Sequence, residues 1–301
     1  NALWEAAISS AERLTQHALQ SIAAQITLPP APHSEAQPIV VFNSLNWERS
    51  HLVTVEIPAS SALNWQVQDL QGNLVDSYRR AASLDRTPNH LTFQAEAIPA
   101  IGYRCFWLVP DSSVFSDSRF SGSLASNHPS FLVLENEFLT VSIDPQTGDL
   151  SRIFDKQNRR EVLNGAGNQL QAFVDQGQYW DAWNINPEYA NHPLPSTTLV
   201  EIRSIVQNSL ETRIQVVRQL GQSTFWQTYV LQQGCSVLTI ETEVDWQERH
   251  TLVKAAFPLN LKADFATYEI PFGAIDRPTC PQNDREKAQW EVPALTWADL
   301  S

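Results

Sequence analysis

The apolar residues near the start of the chain recur every three or four positions. In "LWEAAISSAERLTQHALQSIAAQI", residues 3–26, Trp4, Ile8, Ala11, Leu14, Ala18 and Ile22 fall along one line. That spacing predicts one amphipathic helix of about six turns. Pro29 and Pro30 stop it, because proline lacks the N–H donor and its ring clashes with the preceding turn. A stripe of that length cannot bury itself, and no second helical pattern of equal strength follows. Either the helix packs on β-structure, or its partner helices lie outside these residues.

Past the Pro-rich "LPPAPHSEAQP" the pattern changes to strands. "IVVF" (39–42) reads as a buried strand, "HLVTVEI" (51–57) puts Val53, Val55 and Ile57 on one face, and "YRCFWLV" (103–109) is a further strand. Residues 38–110 are therefore expected to form a small β-sandwich. The Ser-rich stretch 111–129 has no period and reads as linker or loop. Beyond it, "FLTVSI" and "LSRIF" flank the turn "DPQTGD", a hairpin signal. Five runs follow with short breaks: 199–207, 210–220, 223–233, 236–247 and 251–259. In the fourth, Leu238, Ile240, Val244 and Trp246 take one face, and Thr239, Glu241, Glu243 and Asp245 the other. Connections this short exclude βαβ crossovers. They predict an antiparallel meander and a large two-sheet sandwich. Trp107, Trp226, Trp246, Cys105 and Cys280 are expected to pack in cores.

One stretch fits neither period. "QGQYWDAWNINPEY" (176–189) interleaves Tyr179, Trp180, Trp183 and Tyr189 with Asp181, Asn184, Asn186 and Glu188. Aromatic faces suit the C–H faces of sugar rings, and carboxylates and amides suit their hydroxyls; the bland alternative is a loop that plugs the mouth of the sandwich. The net charge of −13 argues against nucleic acid and anionic membrane surfaces. Three scattered cysteines without a CxxC make a disulfide framework or a Cys zinc site unexpected, and point to a reducing, cytoplasmic setting. The seven histidines form no HxH, HxD or HExxH, so no zinc site is expected. Nor is there a GxSxG, P-loop or GxGxxG. Among carboxylates, Asp181 beside its aromatics is the best candidate for glycoside chemistry; Glu135, Glu137, Glu269 and Asp276 are others, and solvated or capping roles are the simpler account of each.

Five segments, "VVFNSLNWERSHLVTVEIP" (40–58), "LENEFLTVSIDPQTGDLSRIFDKQNRREVL" (134–163), "GNQLQAFVDQGQYWDAWNI" (167–185), "TLVKAAFPLNLKADFATYEIPFGAIDRPT" (251–279) and "WEVPALTWADLS" (290–301), resemble the family 38 glycoside hydrolases, the class II α-mannosidases. The likeness runs in order through essentially the whole chain. It implies a mainly β architecture. Residues 3–28 would be the last helix of a three-helix bundle and 38–110 a small β-sandwich. Residues 130–301 would form an incomplete large β-supersandwich of the galactose-mutarotase type.

The family's zinc-bearing α/β barrel, with its Asp nucleophile, acid/base carboxylate and metal ligands, is then expected outside this chain. So zinc is a cofactor of the parent protein with ligands elsewhere, and no catalytic or metal-binding residue is expected here. The implied partners are the N-terminal barrel and a mannose-containing oligosaccharide, with oligomeric state left open. Relatives continue beyond the "WADLS" motif, so an exposed sheet edge, or a contact between chains that covers it, is expected. The resemblance makes 176–189 a sugar-facing loop: Tyr179 and Asp181 would bond hydroxyls, and Trp180 or Trp183 would stack or pack. A stand-alone carbohydrate-binding sandwich is the alternative. A mutarotase ranks last, because the strands between 199 and 247 carry no histidine.

Overall fold

A computed structural model describes residues 2–57, 64–80, 90–111, 132–177 and 184–300. It divides into two compact units, residues 1–121 and 122–301. Among the described residues no helix is long and apolar enough to cross a membrane.

The first unit opens with helix α1 (Ala2–Ala23). Seven strands follow: β1 (Gln37–Asn43), β2 (Arg49–Glu56), β3 (Asn64–Asp69), β4 (Leu74–Val75), β5 (Ser77–Arg80), β6 (His90–Ile98) and β7 (Gly102–Asp111). They form two antiparallel sheets, β1-β7-β3-β4 and β2-β6-β5. Alternation explains the packing. Leu91, Phe93 and Ala95 of β6 face Phe106 and Leu108 of β7 across a core completed by Ile57, Val67 and Ile98, with Phe93 and Phe106 edge to face at 5.1 Å. Asn43 is buried and locks the β1–β2 turn. Its amide donates to the carbonyls of Trp47, Ile98 and Pro99, and its oxygen accepts from Leu45 N–H.

The stripe of α1 is not covered: Trp4, Ile8 and Leu14 are 75, 58 and 72 % exposed. The helix forms as its period predicts, but of the two expectations for its apolar face, packing on the β-structure is not what is seen.

In the second unit β8 (Val133–Glu135), β9 (Leu139–Ile143), β10 (Leu150–Asp155) and β11 (Arg160–Glu161) make one sheet. Strand β12 (Gln169–Val174) comes next in the chain, followed by β13 (Thr198–Gln207), β14 (Glu211–Leu220), β15 (Ser223–Gln232) and β16 (Leu238–Asp245), which form a second four-stranded sheet in chain order. The main core lies between these two sheets, with Leu134, Val141, Leu150, Ile214, Val216, Tyr229 and Leu231 at its centre. The fifth run departs from the expected meander. It forms β17 (Thr251–Ala256), which pairs with β12 and not with β16. His250 adopts a left-handed φ of 50° and its carbonyl accepts from Asp175 N–H, which turns the chain towards β12. A hairpin of β18 (Phe265–Ile270) and β19 (Gly273–Pro278), the short helix α2 (Asp284–Lys287) and β20 (Ala298–Asp299) complete the unit.

Three further expectations need correcting. Trp246 is 42 % exposed because β16 is an edge strand whose far half runs past the core. Trp226 is only half-buried, and Cys280 is exposed in the segment after β19; Cys105 and Trp107 are buried as expected.

One group joins the two four-stranded sheets of this unit. Arg218 of β14 has no exposed surface. It donates to the carbonyls of Gly148, in the β9–β10 turn, and Asn168, just before β12. It also donates to the Tyr229 hydroxyl at 3.2 Å and pairs with Asp149 at 3.2 Å. Tyr229 in turn donates to Gly148 O and accepts from the Asn168 amide. Gly148 has φ +76°, and a Cβ there would lie 2.4 Å from Val216 Cγ1, so glycine is required.

Burial pushes the Asp149 carboxyl above its usual range, against the pull of Arg218 and a Thr147 hydrogen bond. A carboxyl raised on folding contributes fully below its unfolded pKa and loses that contribution as pH rises through the folded one. Arg218→Met is expected to cost about 3–5 kcal/mol, since it strands buried acceptors. Asp149→Asn, which keeps an oxygen for Arg218 and removes a carboxylate that burial already disfavours, is expected to cost less, about 1 kcal/mol. Urea unfolding of both variants checks the order.

Candidate functional site

The candidate residues Tyr179, Trp180, Asp181 and Trp183 lie outside the described residues, so the site is built from the stems that carry them. The first stem is the end of β12. The second, residues 184–194, returns antiparallel beside it: Leu194 N–H donates to Ala172 O, Val174 N–H to His192 O, and Phe173 bridges Pro193. Between them Asn186 nucleates the bend. Its side-chain oxygen accepts from Glu188 N–H and its carbonyl from Tyr189 N–H, which leads into a single 3-10 turn, Tyr189–Asn191.

Strand register decides what meets Tyr189. In the β12–β17 pair, Gln171 faces Lys254 and Phe173 faces Leu252, so Phe173 and Lys254 share one face of the ribbon. Tyr189 covers that face, edge to face with Phe173 at 5.1 Å and with the Lys254 ammonium 4.7 Å from its ring centre. Lys254 Nζ also donates to the Tyr189 hydroxyl at 2.5 Å and to Glu291 at 2.6 Å, and the hydroxyl donates to the same carboxylate oxygen at 2.8 Å. Next door, Trp290 Nε1–H donates to Ile185 O at 3.1 Å. The aromatic loop is thus clamped by β17 and by the segment after α2, about a hundred residues further along the chain.

Charge makes this a clamp rather than a passing contact. Partial burial opposes both ions, but their mutual hydrogen bonds outweigh it, so Glu291 lies below its usual range and Lys254 above its own. The depressed acid contributes above its unfolded pKa and fails as pH falls through the folded value. The raised amine contributes below its unfolded pKa and fails as pH rises through the folded one. The clamp therefore holds through neutral pH and opens at both extremes.

The other candidate carboxylates have structural work. Glu135 pairs with Lys156, Glu137 accepts from Gly234 N–H, Glu269 accepts from Thr296, and Asp276 accepts from the Thr267 hydroxyl. Among the described residues, no three His, Cys, Asp or Glu side chains are grouped to hold a metal. Lys254, Trp290 and Glu291 were not singled out from the sequence. The signal was faint: Trp290 and Glu291 open the "WEVPALTWADLS" segment, but nothing local connects them to Tyr189.

Residues 134–301 match the family model for the glycosyl hydrolases family 38 C-terminal domain. The chain is 31 % identical over 217 residues to alpha-mannosidase 2C1 of Mus musculus, covering 68 % of this chain and 20 % of that protein. It is 27 % identical over 277 residues to alpha-mannosidase G of Dictyostelium discoideum, covering 87 % of this chain and 24 % of that one. The chain thus spans a fifth to a quarter of the length of these relatives. The crystal structure of an alpha-mannosidase from Enterococcus faecalis V583 superposes with a TM-score of 0.65 at 16 % identity, over 90 % of this chain and 37 % of that one, a likeness of fold.

Lys254→Met is expected to release residues 184–192. Because the pair is about one-third exposed, the effect should be near 1 kcal/mol, or about fivefold faster amide exchange at Tyr189 and His192. NMR exchange rates check it, and unchanged rates would show that the clamp carries no energy.

Proposed function

The chain belongs to glycosyl hydrolase family 38, and on that premise we propose that it is the C-terminal, non-catalytic β portion of an α-mannosidase that hydrolyses terminal α-mannosides with retention of configuration. The match of residues 134–301 carries this reading, and the clamped stems of the aromatic loop support it. The catalytic carboxylates belong to a barrel outside these residues. One attacks the anomeric carbon, the other protonates the leaving oxygen, and water then releases the sugar from the glycosyl-enzyme. A zinc ion with ligands outside this chain would hold mannose hydroxyls and stabilise developing charge.

What this chain supplies is position. The stems hold the end of β12 and residues 184–194 in place. From there Tyr179 and Asp181 bond mannose hydroxyls, while Trp180 and Trp183 offer ring faces to the sugar. The exposed apolar stripe of α1 is a surface for helices of the same parent protein.

Two outcomes test the reading. The 301-residue chain supplemented with zinc is expected to show no p-nitrophenyl α-mannoside turnover. In the intact parent protein, Asp181→Asn is expected to lower kcat/KM by at least about tenfold, the loss of one charged hydrogen bond. Turnover by the isolated chain, or an unaltered kcat/KM, would sink it.

A further inference from the structure

Strand β16 ends its sheet. It pairs with β15 along its length and, among the described residues, with no strand on its other side. Its eight residues, "LTIETEVD", include no proline or glycine, and the pairing with β15 has no bulge. A regular run of free backbone N–H and C=O groups is a template for another strand.

The two faces of β16 differ. Register sets Leu238, Ile240 and Val244 beside Leu231, Tyr229 and Phe225 of β15, on the core side. Leu238 and Ile240 pack against the core, but Val244 and Trp246 are 39 and 42 % exposed. A groove of about 380 Å³ adjoins this side, with walls that include Phe225, Ile240, Val253, Ala255 and Phe257. The opposite face carries Glu241, Glu243 and Asp245, all exposed. Among the described residues, the one cation ion-paired with this row is Arg213, on Glu241.

Those charges select the occupant. A second copy fits poorly, because two β16 strands laid side by side with matching faces bring carboxylates against carboxylates. A strand with aliphatic residues on one face and Lys or Arg on the other satisfies both faces at once. The relatives have room for one, since this chain matches only 20 to 24 % of their length.

We propose that an extended segment of the parent protein outside these residues, alternately aliphatic and basic, pairs with the free edge of β16. Its aliphatic side chains cover Val244 and Trp246 and enter the groove, and its basic ones face Glu241, Glu243 and Asp245. That the parent is longer than this chain rests on the family reading; the chemistry of the strand is set by β16.

The test titrates the 301-residue chain with three short peptides: valine alternating with lysine, valine alternating with glutamate, and the lysine peptide reordered so that alternation is lost. Fluorescence anisotropy reads affinity and amide exchange reads location. The lysine peptide is expected to bind and to slow exchange at alternate residues of 238–245, with the glutamate peptide at least about tenfold weaker. Glu243→Lys, an exposed change that leaves the core intact, is expected to weaken the lysine peptide about fivefold and to strengthen the glutamate one. In the intact parent, β16 is expected to be protected without peptide and to bind none. The proposal is overturned if the lysine peptide does not bind or if the reordered one binds as well. Protection away from β16 overturns it too, as does protection of β16 by raised concentration of the chain alone, the mark of a second copy. So does a parent that binds the peptide as the 301-residue chain does, since the strand would then come from another protein. None of these measurements reads turnover, so the mannosidase reading fails or survives separately.

Discussion

A guanidinium with no exposed surface has to be answered by oxygens, and those that answer Arg218 come from separate stretches of chain. The β9–β10 turn gives Gly148 O and Asp149, the approach to β12 gives Asn168 O, and β15 gives the Tyr229 hydroxyl. The apolar core between the two four-stranded sheets would tolerate some sliding, since burial is not directional. Hydrogen bonds to a planar, fixed fork of donors are directional, and they set where β12 begins relative to β14. Everything carried by β12, including the stems of the aromatic loop, inherits that register.

The loop clamp works by the same means nearer the surface. The stems are held by local backbone bonds on one side and by a lysine, a tyrosine and a glutamate on the other. Partial exposure keeps each ionic bond modest. The arrangement gains from convergence, because the hydroxyl and the ammonium share one carboxylate oxygen, so moving any member disturbs two bonds.

What could be read from the sequence was periodic or local. The helical stripe from Trp4 to Ile22, the alternation in β2 and β16, and the turn around Pro145 and Gly148 are written in consecutive residues, and each has its element in the structure. Long-range pairing was not legible in that way. β17 follows β16 in the chain, yet it pairs with β12, because a left-handed His250 redirects it. Alternation placed Trp246 on an apolar face but could not tell that its end of β16 outruns the covering sheet. Lys254 and Glu291 looked like ordinary surface charges, since the tyrosine that joins them is 65 residues from one and 102 from the other. The family resemblance supplied what periodicity lacked, the family itself.

Helix α1 stands apart from these constraints. Its 22 residues carry an apolar line that stays open to solvent. A helix of that length is near the margin where intrinsic propensity alone decides between helix and coil. Its helical fraction therefore obeys mass action with whatever surface comes to lie against it. The conformation of the first two dozen residues thereby becomes a function of company and concentration.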